Sequence, residues 1–226
     1  YADYLVDGHV VLLKVTEVTP TKIYTDFVEV IGHQNDPDIE IVKIINEYEW
    51  PHTFSKELLK EVASIKIDEA YEEKTRRNLR DKLIVTIDGE DAKDLDDAVC
   101  YEKLDNGLFR IGVHIADVSY FVREETLVDK EGYRRATSVY LADRVIPMLP
   151  HSLSNDLCSL NPHEAKYTIS CEMVMNENMD LISYEIFPSI IESKYRLTYS
   201  KVNELIKNNK SLGNEDLDTM IFRLNE

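Results

Sequence analysis

The sequence predicts a mixed α and β protein with more strand than helix, formed by a small all-β unit and a larger unit built on antiparallel sheet. Short β-rich runs separated by turn-forming residues fill residues 10–42. A densely charged stretch with few apolar residues follows at 68–80. Beyond it, two pairs of apolar runs are each joined by a turn. We therefore predict two domains, 1–75 and 76–226.

The first unit is predicted from three β-rich runs, VVLLKVTEV, IYTDFVEVI and IEIVKII, which are separated by the turn-prone stretches TPTK and GHQNDPD. A helix is predicted over 55–65, because its apolar residues share one helical face and Ser55 is a suitable N-cap. The charged stretch DEAYEEKTRRNLR at 68–80 is predicted as a linker.

The second unit begins with the apolar run LIVTI, which is typical of a buried strand and ends at Asp88. A hairpin is predicted where AVCYEKL and LFRIGVHIA flank the turn residues 105–107. The runs YTISCEMVM and LISYEIF predict a second hairpin, and a helix is predicted to begin near Thr198.

Composition limits the classes of function. The chain has 226 residues and a net charge of −17, which disfavours a simple phosphate-binding surface, so any nucleic-acid role has to be local or metal-mediated. No apolar run approaches the roughly 18 residues of a membrane span. The three cysteines lack CxxC spacing, which favours reduced thiols in the cytoplasm. Because the chain begins with Tyr1 rather than Met, we expect an excised piece of a longer protein.

Acidic residues are most concentrated in DGEDAKDLDD, which is called the acidic segment below (residues 88–97). Carboxylates within about 4–6 Å raise one another's pKa, so such a cluster either spreads into water or is held together by a cation. The apolar strands on both sides argue against spreading. If Leu95 points into the core, then Asp94 and Asp96 lie together on the opposite side, and Asp97 joins them if the backbone bends.

A site made only of carboxylates selects hard cations such as Mg²⁺, and phosphodiester chemistry is its natural use. A solvated acidic loop is the alternative that composition alone favours. An EF-hand is disfavoured, because the DxDxDG order and the distant Glu are absent, and little besides the cluster supports an acidic Ca²⁺-binding protein.

Four motifs in order carry a specific resemblance: IDGEDAKDLDDAV, HIADVSYFV, TSVYLADRVIPMLP and LSNDLCSLNP. Together they closely resemble the catalytic-domain signature of the RNase II and RNase R family of exoribonucleases. The residues of the motifs are more similar to RNase R. The resemblance covers residues 76–206, and the preceding region looks like the family's second cold-shock domain. It implies a small OB-type β-barrel followed by the N-terminal part of the α+β catalytic (RNB) domain, truncated at its C-terminus.

The resemblance also implies an activity: processive, Mg²⁺-dependent 3′ to 5′ hydrolysis of RNA that releases nucleoside 5′-monophosphates, with Mn²⁺ as a possible substitute. By this resemblance Asp88, Asp94 and Asp97 belong to the metal site, and Asp96 is the residue most indispensable to cleavage. All four are therefore expected to be catalytic and metal-binding. Tyr140 corresponds to a residue that packs on the 3′ nucleotide. The expected partner is a single-stranded RNA 3′ end, without a membrane, and the expected state is a monomer.

Some features depart from the family. Leu141 and Ala142 follow Tyr140 where a proline is more usual, and Ala136 stands where glycine is common. An arginine-bearing motif and a second aromatic of the family are not in these residues, so we expect the isolated chain to be weakly active or inactive. A non-catalytic RNA- or protein-binding module with a vestigial nuclease half stays open as the alternative.

Other noticeable residues have plainer interpretations. His114 is expected to be a hydrogen-bonded structural histidine, and Cys158 a small buried thiol. The three arginines near Tyr140 are equally consistent with phosphate contacts and with solvated surface positions; they are Arg134, Arg135 and Arg144.

Overall fold

The computed structural model describes residues 4–226, with only the backbone of Asn106, so residues 1–3 of the predicted first domain lie outside the described residues. By packing, the first unit comprises residues up to Phe54 together with Arg134–Met148. The second unit comprises Ser55–Tyr133 and Leu149–Glu226. The domain boundary near residue 75 stays a prediction.

The first unit contains the two predicted strands as an antiparallel hairpin, β1 (His9–Val18) and β2 (Ile23–His33). Its turn is closed by Thr19, whose backbone N–H donates to the carbonyl of Lys22 at 2.8 Å. A second, very short antiparallel pair is formed by β7 (Val139–Tyr140) and β8 (Val145–Ile146).

The prediction of a third strand in this unit is wrong, because IEIVKII begins the helix α1 (Ile39–Glu47). Its isoleucines favour strand by propensity, but tertiary packing overrides such preferences. Ile39 and Ile45 are both buried, and the consecutive residues 41–43 between them are all half-buried, which is not the alternating burial of a strand. On the exposed side, Lys43 pairs with Glu40 one turn earlier.

The second unit is built on a seven-stranded sheet in the order β11-β4-β5-β6-β9-β10-β3. The inner neighbours are antiparallel, and the outer pairs β11–β4 and β10–β3 are parallel. Both predicted hairpins, β5–β6 and β9–β10, are confirmed. The strands are β3 (Arg77–Asn78), β4 (Val85–Asp88), β5 (Asp97–Lys103), β6 (Phe109–Ala116), β9 (Ala165–Met175), β10 (Leu181–Glu192) and β11 (Tyr195–Thr198). The predicted fold class, mixed α+β with mostly sheet, is confirmed.

The helices are α2 (Lys56–Ala63), α3 (Glu69–Thr75), α4 (Val118–Phe121), α5 (Leu127–Arg135), α6 (Tyr199–Asn208) and α7 (Glu215–Asn225). The predicted N-caps are confirmed: Ser55 accepts from the N–H of Leu58, and Thr198 accepts from that of Lys201. Among residues 4–226, no helix is long and apolar enough to cross a membrane.

The charged stretch 68–80, predicted as a linker or domain boundary, forms a helix and carries a buried cation. Most of it forms α3, and Arg76 at the end of that helix is buried in the second unit. The Arg76 guanidinium donates to Glu72 at 2.5 Å, to Asp117 at 2.6 Å and to the carbonyl of Thr168 at 3.3 Å. Composition fails here because it cannot distinguish charges that neutralise each other in the interior from charges that face water.

Ala136 has a backbone φ of +63°, in the left-handed region. Glycine adopts this conformation without the steric cost that a Cβ brings. The local backbone therefore accounts for the glycine that is common at this position in the family.

Candidate metal centre at the end of strand β4

Asp88 is the last residue of β4, where the strand opens into the acidic segment. It lies opposite Thr198 in the parallel pairing with β11. Its Oδ2 atom is buried and has no hydrogen-bond partner among residues 4–226, and the same holds for the hydroxyl of Thr86, two residues earlier on the same face of the strand. Two buried polar oxygens thus lack partners along one strand face.

The rest of the acidic segment folds as its pattern predicts. Leu95 is 2% exposed, while Asp94 and Asp96 on either side of it are exposed. The carbonyl of Asp96 accepts from the N–H of Ala116 at 2.9 Å, and Asp97 then begins β5. The inward Leu95 therefore directs both flanking carboxylates away from the core.

The four aspartates Asp88, Asp94, Asp96 and Asp97 influence one another's charge. Burial is the largest cause that raises the pKa of Asp88, followed by the charges of Asp97 and Asp96. The pKa of Asp96 is also raised, first by partial loss of contact with water and then by the charge of Asp97. The structure thus brings the four predicted aspartates into one electrostatic cluster.

Within residues 4–226, no three acidic, histidine or cysteine side chains already lie together at ligating distances. The donor set nonetheless suits a hard dication: it consists of oxygen only, and it includes the buried, unpartnered Oδ2 of Asp88. The charge of Arg196 lowers the pKa of Asp88. Its described hydrogen bonds, however, go to backbone carbonyls and not to the aspartates.

Two residues that contact the acidic segment were not identified from the sequence. Arg196 in β11 donates from Nη2 to the carbonyls of Glu90 and Ala92, at 2.8 and 2.7 Å. Ser159 donates from Oγ to the carbonyl of Lys93 at 2.9 Å and accepts from the N–H of Leu95 at 3.2 Å. Ser159 lies in the LSNDLCSLNP motif, which is the one sequence signal that pointed towards it.

Tyr140 does not belong to the same unit as the aspartates. It lies in β7 of the first unit, and its side chain is 70% exposed, whereas all four aspartates lie in the second unit. An exposed ring is suited to stacking on a base. Its role at the RNA 3′ end stays a prediction.

Two of the neighbouring arginines make hydrogen bonds within the first unit. Arg135 is 8% exposed and donates to the carbonyls of Pro147 and Thr53. Arg144 pairs with Asp38 and with Asp143. Arg134 also has an interaction partner. Arg135 is therefore not a solvated surface arginine, whereas Arg134 and Arg144 are exposed, as that interpretation expects.

His114 and Cys158 have the structural roles predicted for them. His114 is fully buried, and its Nδ1 lies 2.6 Å from the hydroxyl of Ser170. Burial lowers the pKa of His114 to about 4, so it is neutral at physiological pH. Cys158 is buried, which raises the pKa of its thiol to about 12 and keeps it unreactive.

A cluster of carboxylates at the end of a strand is the type of site that metal-dependent phosphodiester hydrolases use. Residues 76–226 match the RNB domain family, and residues 2–55 match the cold shock domain family. Because the RNB match covers more than half of the chain, this protein belongs to the RNB family.

Two curated relatives are named as ribonucleases R. The chain is 44% identical over 206 residues to "Ribonuclease R 2" of Lactococcus lactis, which covers 87% of this chain and 30% of that protein. It is 44% identical over 188 residues to "Ribonuclease R" of Thermotoga maritima, covering 82% of this chain and 26% of that protein. The chain thus spans less than a third of the length of these relatives.

Solved structures show the same fold. "Mycoplasma genitalium RNase R in complex with double-stranded RNA" matches with a TM-score of 0.91 and 28% identity, covering 99% of this chain and 40% of that one. "Structure of yeast Ssd1, a pseudonuclease" matches with a TM-score of 0.71 and 20% identity, covering 92% of this chain and 26% of that one. The second likeness concerns the fold alone.

Proposed function

We propose that this chain supplies the metal-binding aspartates of a 3′ to 5′ exoribonuclease of the RNase R type, which hydrolyses RNA processively to nucleoside 5′-monophosphates. The observation that carries the proposal is the coupled carboxylate cluster at the end of β4, with its unpartnered buried oxygen. The cluster lies within the residues that match the RNB family. The names of the relatives support the substrate class.

In this proposal Asp88, Asp94 and Asp97 hold Mg²⁺, with Mn²⁺ as a substitute, and Asp96 is the residue whose loss abolishes cleavage. When bound, Mg²⁺ supplies an activated water and neutralises charge on the scissile phosphate. The four carboxylates concentrate negative charge between the end of β4 and the start of β5, and the dication needs that charge for binding. Asp88 anchors the cluster, because it belongs to a strand paired with β11.

Tyr140 is proposed to stack on the nucleotide at the 3′ end of single-stranded RNA, and such stacking tolerates any base. The protein is proposed to act as a monomer in the cytoplasm. The thiols of Cys100 and Cys158 support a reducing compartment, because both are free and buried.

A non-catalytic module with a vestigial nuclease half is the second candidate. The fold alone is compatible with it, since a pseudonuclease shares this fold. The four aspartates count against it, because a protein that only binds has no chemical need to maintain such mutual repulsion.

The test of the proposal is RNA hydrolysis by the full-length protein that contains this sequence. With a uniformly labelled single-stranded RNA and Mg²⁺, we expect release of labelled nucleoside 5′-monophosphates, and a rate at least about 10²-fold lower for Asp96→Asn. The exposed Asp105 provides a matched control, and Asp105→Asn should leave the rate unchanged. RNA binding without nucleotide release by the unmodified protein would instead establish the non-catalytic candidate.

The 226-residue chain alone is proposed to be weak or inactive, since it spans less than a third of its relatives' length. In the same assay it should release nucleotides at least about 10²-fold more slowly than the full-length protein, because even one missing charge-stabilising donor costs that much. Comparable rates would contradict this part of the proposal.

A further inference from the structure

The acidic segment crosses from β4 to β5 without ladder partners of its own between Gly89 and Asp96. Its backbone is held instead from two sides. Arg196 donates hydrogen bonds to the carbonyls of Glu90 and Ala92, which precede Asp94. The hydroxyl of Ser159 hydrogen-bonds to the carbonyl of Lys93 and to the N–H of Leu95, on either side of Asp94. The N–H of Leu160 donates to the carbonyl of Leu95 at 2.7 Å.

The hydroxyl of Ser159 is placed to fix the direction of two aspartates. It donates to the carbonyl of Lys93 and accepts from the N–H of Leu95, so one oxygen atom holds the backbone on both sides of Asp94. Ser159 is 1% exposed and Leu95 is 2% exposed, so water does not readily replace these bonds. With Leu95 fixed inward, Asp94 and Asp96 have to point outward.

Arg196 acts on the first half of the segment. It lies in β11 two residues before Thr198, which is the register partner of Asp88. From there, a single guanidinium nitrogen reaches two carbonyls of the segment. The strand that pairs with Asp88 therefore also holds the chain that returns to Asp94.

We propose that Arg196 and Ser159 are positioning residues, which hold the acidic segment in the conformation that presents Asp94, Asp96 and Asp97 to a dication together with Asp88. This inference rests on the proposed function, because it assigns a purpose to the geometry of the proposed metal site. Partners that orient metal ligands typically contribute about 10- to 100-fold in metal affinity.

The charge of Arg196 makes the test decisive, because two explanations predict opposite signs. Removing a positive charge beside a cation site favours cation binding on Coulombic grounds alone. A positioning role predicts the reverse. Calorimetric titration of Mn²⁺ into the metal-free 226-residue chain should therefore show about 10-fold or greater weakening for Arg196→Met and for Ser159→Ala.

Two further variants control for charge and for folding. Arg196→Lys keeps the charge and a group that can donate to these carbonyls, so its Mn²⁺ affinity should return to within about threefold of the unmodified chain. Arg223→Met removes the same charge from α7, where Arg223 pairs with Glu226, and should leave the Mn²⁺ affinity unchanged. Equal or tighter Mn²⁺ binding by Arg196→Met would overturn the inference.

Hydrogen exchange in the metal-free chain separates this inference from the proposed function. Amides of residues 89–96 should exchange at least about 10-fold faster in Arg196→Met and Ser159→Ala, while those of β9 and β10 stay unchanged. Unchanged exchange in residues 89–96 overturns the positioning role, whatever the metal does. If the unmodified chain takes up no Mn²⁺, the proposed metal site fails, and the exchange result still decides the inference.

Discussion

The second unit contains two charged clusters that differ in how their charges are balanced. At the end of α3, the buried cation Arg76 lies between the carboxylates of Glu72 and Asp117, with two tyrosine rings, Tyr120 and Tyr167, against its guanidinium. Between the end of β4 and the start of β5, four aspartates influence one another's charge, and Arg196 there donates to backbone carbonyls.

The paired charges around Arg76 fit a structural role, and the unpaired charges of the four aspartates fit a functional one. Charges that are paired in the interior keep the fold intact only as long as each partner is present. Carboxylates that repel one another and leave a buried oxygen without a partner lower the stability of the metal-free protein, and the dication that we propose for this site would relieve that cost. Protein function is often found where such a cost is retained.

The largest expected effect concerns the paired cluster. Arg76→Met leaves two buried carboxylates without their cation and should lower the free energy of unfolding by about 3–5 kcal/mol. The neighbouring Arg77 is a matched control, because its ion pair with Glu185 is exposed, and Arg77→Met should cost about 1 kcal/mol or less. Urea unfolding followed by circular dichroism measures both, and equal losses would remove the contrast between the clusters.

A smaller stabilisation is expected when the aspartate cluster is given its cation. At Mg²⁺ concentrations about 100 times the dissociation constant, the free energy of unfolding should rise by about 2.7 kcal/mol. In Asp88→Asn the same concentration should give about half of that gain or less. Urea unfolding with and without Mg²⁺ measures both values. A gain of equal size in the variant would show that the ion binds elsewhere.

The third prediction concerns buried polar groups that carry no charge, whose loss should have a smaller effect on stability. Ser170→Ala removes the partner of His114 and one hydroxyl from a buried chain that continues to Ser189, at 2.5 Å. The free energy of unfolding should fall by about 1–3 kcal/mol. The exposed Ser183 in β10 is the control, and Ser183→Ala should change little. Unfolding in urea checks this, and a loss below about 0.5 kcal/mol for Ser170→Ala would mean that the chain of hydroxyls is not holding the sheet.

The smallest expected effect is a difference in pH dependence. Because the folded protein raises the pKa of Asp88, folding favours its protonated form. The stability that this gives is present at acidic pH and is lost as the pH rises through the raised pKa. Metal-free Asp88→Asn should thus be more stable than the unmodified chain at pH 7.

Measuring the unmodified chain and Asp88→Asn at acidic pH provides the control. At pH 3 both side chains are mostly uncharged, so the two melting temperatures should converge. Buried His114 acts in the opposite direction, because its pKa of about 4 means that stability is lost as the pH falls from about 6.5 towards 4. A melting-temperature difference that is independent of pH would contradict the repulsion assigned to Asp88.

Much of the fold was predictable because it depends on local pattern. The strand that ends at Asp88, the two hairpins of the sheet and the N-caps at Ser55 and Thr198 all follow from alternation and capping. The helix at Ile39–Glu47 was not predicted, because its isoleucines favour a strand and only the packing reveals which of them are buried.

The candidate site was predictable in its residues but not in its supports. Asp88, Asp94, Asp96 and Asp97 are close in sequence, and an inward Leu95 was enough to place two of them on one side. Arg196 reaches the acidic segment across more than a hundred residues, and no local pattern encodes such a contact. The burial of Arg76 was unpredictable for the same reason, since its partner Asp117 is 41 residues away.

The most direct test of the central claim is calorimetric titration of Mg²⁺ and Mn²⁺ into the metal-free chain and its Asp88→Asn variant. If the uncompensated aspartates are a metal site, the chain binds both ions saturably, and Asp88→Asn weakens binding by at least about 10-fold. Saturable binding of the same affinity by the variant would contradict the account, because the buried carboxylate at the end of β4 would then have no part in holding the ion.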